Sequence, residues 1–501
     1  MQISANRANF FRILIFTAYL ALNLLLLARH EMWRDEMNVW LFARDVPLSD
    51  FFSQLRYQGH PCLWYLLILP FARLGFPCRI MGVISLTIMG VTAAVYLWKA
   101  PMADWMKGLT LFFPLFTYYY PVISRAYCLV ALLIVLLAYL YHRRNDKPML
   151  YGFLLGLLVQ ADTIGIPVAG MISAMWVTEG LWKSYHSRSI KAVMVTAKGA
   201  WIPLISVILW FLQFYDMGES DLYLPKDMGV FELLRESKNY AYHMLDRLTY
   251  LQSDWAVVLF WICIAAVILL CIGLGTVWPF LVMAASVAFQ AVLSTLLYQL
   301  RVYHFLMVFF AYIWMLWIYA EKLEHVKPIA KERQKKAGKM GFAILRMLFV
   351  SILLLTFFRW TTEEQYMGFK NARDKRMSDG QYAADYLREN SSPEELIIIS
   401  GVPYVASIQG YLPEYSFYFA GSGKVVSYAD WTREQSQSIT YEALTHWIRS
   451  QFPEKESFLY VQSAEDRVEG EEDALGRGVL LYKTLIPTVM DEDYRIYRLY
   501  L

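Results

Sequence analysis

Residues His30–Trp40 read HEMWRDEMNVW, with Arg34, Asp35 and Glu36 side by side and Trp33, Met37 and Trp40 around them. The stretch follows directly on an apolar run, 11–28, long enough to cross roughly 30 Å of hydrocarbon. Ionisable groups at membrane depth are costly and line cavities or pair with each other. Which side of a bilayer these three charges occupy therefore decides how the whole chain is read.

The rest of the sequence sets that topology. Of 501 residues, 57% are hydrophobic and 18% charged, whereas soluble domains sit at about half and a quarter. Eleven apolar runs read as spans, at 11–28, 79–98, 106–121, 127–141, 149–160, 163–182, 199–215, 255–272, 276–297, 303–320 and 342–358. The first reads as a span and not a cleaved leader, since no small-x-small site follows it and further spans do. Four basic clusters lie between runs: Lys99 and Lys107; His142, Arg143, Arg144 and Lys147; Lys183, Arg188, Lys191 and Lys198; and the Lys322–Lys339 stretch. With a cytoplasmic N-terminus all four fall on the cytoplasmic side, as the positive-inside rule requires. The loops 29–78, 119–126, 161–162, 216–254 and 298–302, and everything after about 359, then face outward.

The run PCLWYLLILPFARLGF (61–76) is apolar but short, and Pro70 and Arg73 interrupt it. Counted as a span it would invert everything downstream, so it reads as a helix in the outer interface. The segment after Asp35 reads the same way, with Met37, Trp40 and Leu41 on one helical face gripping that interface. The polar turn RYQGHP (56–61) separates the two.

The tail changes character. Strands are expected at 395–400, 415–419, 424–428, 457–463 and 495–500, and helices at 376–390 and 438–450. The expected fold class is a polytopic α-helical membrane protein of about 11 spans over 1–358, followed by a soluble extracytoplasmic α/β domain over 359–501. The tail has no glycine-rich phosphate loop. The net charge of +3 comes from basic residues segregated into loops and gives no nucleic-acid signal. Of five cysteines, Cys128, Cys263 and Cys271 lie in apolar runs, and Cys62 and Cys78 show no framework spacing. No metal-type Cys/His spacing occurs.

Unusual polar residues collect on the outer face beside the spans. They are Asp35 and Glu36; His60 in the polar turn; Arg125 and Tyr127 in YYYPVISRAY; Asp162 in QADT; and Arg301 and His304 in QLRVYHF, one helical step apart. Each has a plainer use. Asp35 can cap a helix, Glu36 can pair with Arg34, and the arginines can anchor at lipid headgroups. Asp162 and His60 can form turns, and His304 can simply pack. Their co-occurrence on one face favours function. An outward carboxylate with arginines and a histidine suits group transfer from a lipid phosphate. Arginines hold and neutralise the departing phosphate, and the carboxylate accepts the proton of an incoming hydroxyl.

WRDEMNVWLFAR followed by YQGHPCLWYLLILP resembles the opening of the GT-C membrane glycosyltransferases. It is similar to the branch holding the protein O-mannosyltransferases and the bacterial lipid A aminoarabinose transferase. That branch shows an Asp-Glu pair, a His-Pro-Pro-like turn, an Arg-x-Tyr near the fourth span and a late arginine. Here these fall on Asp35–Glu36, His60–Pro61, Arg125–Tyr127 and Arg301. The resemblance implies a polyprenyl-phosphate-linked sugar donor and inverting transfer on the outer face. It makes Asp35 the acceptor-activating base, Glu36 its helper or a loop-orienting residue, and Arg125 and Arg301 phosphate ligands. His60, Tyr127, Asp162 and His304 join them as substrate-binding candidates. Cys62 replaces the second proline of the turn, and the tail is no β-trefoil. No cofactor is implied; a divalent metal, were one used, would draw on Asp35, Glu36 and Asp162. The acceptor — glycan, lipid or protein — stays open. Three rivals are weighed. A lipid-linked glycan ligase or polymerase would put its basic residues in a large late loop. A transporter would show internal repeats and broken mid-membrane helices. A non-catalytic scaffold would leave the polar residues scattered.

Overall fold

The computed structural model describes residues 2–215, 228–249, 253–296, 300–305, 307–324, 332–362, 376–432, 435, 439–463, 468–484 and 492–501. The chain divides into two compact units. One is built from Met1–Leu24, Ser85–Tyr215 and Pro225–Thr362, the other chiefly from Leu25–Ile84 and Glu363–Leu501. The early polar segment 29–78 thus shares a unit with the tail.

Among the described residues, seven helices are long and apolar enough to cross a membrane: Asn6–Ala28, Ile80–Lys99, Thr163–Ser187, Lys191–Phe214, Trp278–Leu296, Tyr303–Glu324 and Glu332–Phe358. Tyr127–Arg143, Pro148–Ala161 and Val258–Leu274 are shorter apolar helices. The protein is a multi-pass membrane protein, and every expected run but one falls on a helix.

The exception is 106–121, which is not one continuous helix. A helix covers only Asp104–Leu111. Leu115–Tyr119 then turns irregularly, with Tyr118 at φ 91°. Pro114 and Pro121 each remove a backbone donor, so a regular ladder cannot run through. Buried Asn23, on the first helix, catches the break: its amide donates to the Phe116 carbonyl (3.4 Å) and its oxygen accepts the Tyr118 N–H (3.1 Å). Irregular backbone is tolerated at membrane depth only where protein surrounds it, and residues 113–128 are all buried.

The second unit carries a five-stranded sheet: β1 Ile397–Ile399, β2 Phe417–Phe419, β3 Ser457–Ser463, β4 Val479–Lys483 and β5 Tyr494–Tyr500. The order is β2-β1-β3-β5-β4. β1 pairs parallel with β2 and β3, while β5 runs antiparallel to β3 and β4. Alternation along the strands sends Ile397, Ile399, Leu459 and Val461 into a core with the helices Gly380–Asn390 and Val402–Tyr411. Ile398, Phe458 and Tyr460 face the other way, onto Leu444 and Ile448 of the helix Tyr441–Gln451. One strand expectation needs correcting, and one observed strand is not among those expected. Residues 424–428 form only a single bridge, Val425 to Tyr418, because Val425 is half exposed and has no core face. The edge strand β4, which alternates poorly and is largely exposed, takes the fifth place instead. All five cysteines are free thiols.

Helices Arg34–Asp45, Phe51–Leu55 and Cys62–Arg73 complete this unit. Met37, Trp40 and Leu41 do not grip a lipid interface; they are buried in protein. The tail covers that face. A Cβ at Gly410 would lie 2.3 Å from the Met37 sulfur, so the glycine lets the Val402–Tyr411 helix sit directly on the Met37 side chain. Phe42 meets Phe51, Tyr65 and Tyr428 edge-on at 5.2–5.5 Å. Arg73 closes the far end of the Arg34 helix, donating to the Ala43 carbonyl (2.9 Å) and to that of Val46, where a cation also suits the helix C-terminus.

Candidate functional site

The adjacent carboxylates of Asp35 and Glu36 have different surroundings. Trp33 occupies the N-cap of the Arg34 helix and offers no side-chain acceptor. Glu36, three residues on, turns back and accepts the Trp33 N–H (3.2 Å), which is half of a capping box. The same oxygen meets His30 Nε2 at 2.8 Å, and both side chains are sealed from solvent. Burial alone would lower the His30 pKa, but the charge and hydrogen bond of Glu36 outweigh it and the net direction is upward. His30 and Glu36 thus form a buried hydrogen-bonded pair.

Asp35 instead keeps 29% of its side chain exposed and lies 3.8 Å from Arg34 Nε. Its backbone sits at the second helical position, where a carboxylate is favoured by the unpaired N–H groups. Of the two acids it is the one whose oxygens solvent, and hence a substrate hydroxyl, can reach.

The polar turn is tied to the same helix. Asn38 donates to Gln58 (2.8 Å) and accepts from the Ala429 N–H (2.7 Å), while Gln58 donates to the Ala429 carbonyl (2.9 Å). Gly59 follows at φ 70°, a conformation that suits glycine. Half-buried His60 and buried Pro61 come next, and Pro61 leads into the helix Cys62–Arg73.

The other unit holds a second cluster. Tyr127 opens the helix Tyr127–Leu140, and its hydroxyl meets His304 Nε2 at 2.7 Å. His304 Nδ1 accepts the backbone N–H of Arg301 at 3.0 Å. That bond requires Nδ1 to be unprotonated and leaves Nε2 as the ring's N–H, pointing at the tyrosine oxygen. The Arg125 guanidinium lies 5.9 Å from the Tyr127 ring centroid. The Tyr120 ring lies tilted against that of Tyr127, centroids 5.5 Å apart, and its hydroxyl donates to the Tyr303 carbonyl (3.0 Å). Arg125 is buried and Arg301 exposed. Asp162 is buried and accepts the Ile164 N–H (3.0 Å), capping the Thr163–Gly165 turn.

Structure therefore joins Tyr127, His304, Arg125 and the Arg301 backbone in one cluster, and joins Asp35, Glu36 and the His60 turn in another. Sequence reasoning passed over His30, although it opens the quoted stretch, because its partner lies six residues away, off any helical spacing. It also passed over Asn38 and Gln58, whose shared partner is a tail backbone group. Among the described residues, no three His, Cys, Asp or Glu side chains gather as a metal-ion site.

No family model matches the sequence, and no curated protein does. Solved structures do. The chain is similar to ArnT from Cupriavidus metallidurans in the apo state, with 10% sequence identity, 98% of each chain covered and a TM-score of 0.53. It is also similar to the same organism's ArnT bound to undecaprenyl phosphate, at 10% identity, 97% coverage of each chain and a TM-score of 0.50. The likeness is one of fold and covers nearly the whole of both chains.

Proposed function

We propose that this protein is a membrane glycosyltransferase that moves a sugar from a polyprenyl-phosphate carrier to an acceptor hydroxyl on the outer face of the membrane. The observation that carries this reading is the ArnT fold over nearly the whole chain, one example of which holds undecaprenyl phosphate. The motif order Asp35–Glu36, His60–Pro61, Arg125–Tyr127, Arg301 supports it independently.

In this reading the Asp35 carboxylate accepts the proton of the acceptor hydroxyl. The oxygen attacks the anomeric carbon, the bond from that carbon to the phosphate oxygen breaks, and the polyprenyl phosphate leaves. Attack opposite the leaving group inverts the anomeric centre. The departing phosphate carries its own charge, so no strong general acid is needed; Arg125 and Arg301 are its proposed ligands, by bidentate hydrogen bonds. Tyr127 and His304 hold the Arg301 backbone and the Arg125 side chain in place. Asp162 and His60 shape the substrate-binding loops. Glu36, buried on His30, orients the helix that presents Asp35. The domain division at about 358, the cytoplasmic N-terminus and the extracytoplasmic tail belong to the same proposal, supported by the distribution of basic loops.

The test uses the lipid-linked sugars that build up in cells lacking the protein. Purified, reconstituted protein should release polyprenyl phosphate from that extract, and the Arg301→Ala variant should need a higher donor concentration. An extract with no accumulated lipid-linked sugar, on which the purified protein does nothing, would overturn the reading.

A further inference from the structure

The Arg34 helix caps itself only in part: Glu36 takes the Trp33 N–H, but the Arg34 N–H needs another acceptor. Its N-cap is Trp33, whose side chain cannot accept a hydrogen bond. The missing acceptor comes from the far end of the chain. Glu492 Oε1 accepts the Arg34 backbone N–H at 2.6 Å, across 458 residues. Its other oxygen takes the Ser378 hydroxyl, which itself accepts the Gly380 N–H (2.9 Å) at the start of another helix. Glu492 is fully buried. The groups facing it are Arg34, Ser378 and Ser407, with Tyr494 beside it. Tyr494 is fixed in turn, donating to the Tyr404 carbonyl (2.6 Å) and meeting the Ser407 hydroxyl (2.7 Å).

The tail grips the side chain of Arg34 as well as its backbone. The guanidinium lies 4.4 Å from the centroid of the Tyr404 ring, and from there its Nε reaches Asp35. The Met32 N–H donates to the Tyr411 hydroxyl (3.1 Å), and the Met377 N–H to Glu31 (3.2 Å). Glu31, Met32 and Arg34, which lead into Asp35, are thus tied to groups from the tail, while Asp35 itself is left partly open. A carboxylate at a helix N-terminus fixes the first turn through the N–H groups it satisfies. Here that turn carries the proposed base.

We propose that Glu492 is a positioning residue for transfer: by capping the Arg34 helix from the C-terminal segment it aims Asp35 at the acceptor hydroxyl, which makes the tail part of the catalytic apparatus. The proposal rests on the glycosyltransferase reading and on Asp35 as its base.

The test uses full-length protein in detergent or liposomes with the lipid-linked sugar extract described above. Glu492→Leu keeps the volume and removes both acceptors; Glu492→Gln keeps a carbonyl oxygen for the Arg34 N–H. Glu492→Leu should lower kcat by about 10- to 100-fold per folded molecule, since misplacing a catalytic group by an ångström has that scale of effect. KM for the lipid donor should stay within about twofold, because ground-state binding is untouched. Glu492→Gln should recover most of the lost kcat. A merely structural role would lower the folded fraction and leave kcat per folded molecule and the Gln rescue unchanged. If Glu492→Leu does not fold, Tyr404→Leu, which frees the Arg34 side chain, carries the same kcat-against-KM test. Asp35→Asn runs beside them. Loss of transfer in Asp35→Asn with a normal kcat in Glu492→Leu, or in Tyr404→Leu as its substitute, overturns the positioning role and leaves the enzyme reading standing. Normal transfer by Asp35→Asn overturns Asp35 as the base and the positioning role with it, and leaves the enzyme reading standing; absence of transfer by the wild-type protein overturns the enzyme reading.

Discussion

The two polar clusters are assembled in opposite ways. At the Arg34 helix the key groups are neighbours in sequence: His30, Trp33, Arg34, Asp35 and Glu36 lie within seven residues, and local backbone geometry sorts the two acids into one sealed and one open. In the other unit Tyr127 and His304 are 177 residues apart, and a buried hydrogen bond between span ends brings them together. The first cluster rests on the sealed His30–Glu36 contact, which burial makes costly to break. The second rests on neutral hydrogen bonds and ring packing. The lesson is that an ionisable pair read from sequence need not share one environment: Glu36 is sealed on His30, whereas Asp35, the proposed base, is partly open to solvent.

That contrast yields a ranked set of expectations. The largest effect on stability belongs to His30→Ala, which strands the Glu36 carboxylate in the interior. Breaking one partner of a buried pair costs about 3–5 kcal/mol, so thermal unfolding in detergent should fall steeply. Asp35→Asn, at a partly exposed site, should shift stability by no more than about 0.5 kcal/mol. Equal losses in the two variants would erase the distinction between the acids.

The pH dependence of this unit comes next. Burial raises Glu492 to about 7 and Asp379 to about 6, against ordinary values near 4.5 and 3.8, and the His30 pKa is also raised. In each case the folded state holds its proton more tightly than the unfolded chain. The contribution is therefore complete below the unfolded pKa and is lost as pH rises through the folded one. All three act in the same direction, so the unit should lose stability between about pH 5 and pH 8, by on the order of 3 kcal/mol from Glu492 alone. Glu492→Gln should flatten that slope. A midpoint that rises over the same range contradicts the assignment.

In the other unit, Asn23→Leu should cost about 2–3 kcal/mol, because the Phe116 carbonyl and Tyr118 N–H lose a buried partner. In the same unit Tyr127→Phe should cost less, about 1 kcal/mol for one neutral hydrogen bond to His304. A loss in Tyr127→Phe as large as in His30→Ala would erase the contrast between the two clusters.

Much of this was readable from the chain. Long apolar runs separated by basic loops mark most of the helices, since bilayer thickness and the positive-inside bias act residue by residue. Alternation located β1, β2, β3 and β5, and the acidic pair marked its helix start. What escaped the sequence depends on distant partners. The break at Pro114–Pro121 is stable only because Asn23 meets it. Met37, Trp40 and Leu41 look like interface anchors until the tail is laid over them at Gly410. Glu492 sits in no motif, and only the folded chain shows that it caps a helix 458 residues away.

The most direct measurement compares kcat for sugar transfer in reconstituted wild-type protein, Asp35→Asn and Glu36→Gln, each normalised to folded protein. With Asp35 as the base, Asp35→Asn should lose about 10²- to 10⁴-fold in kcat at unchanged thermal stability, whereas Glu36→Gln should lose stability first and keep most of its kcat per folded molecule. Near-normal transfer by Asp35→Asn, or a Glu36→Gln protein that folds normally yet is inactive, would contradict the division of labour between the two acids.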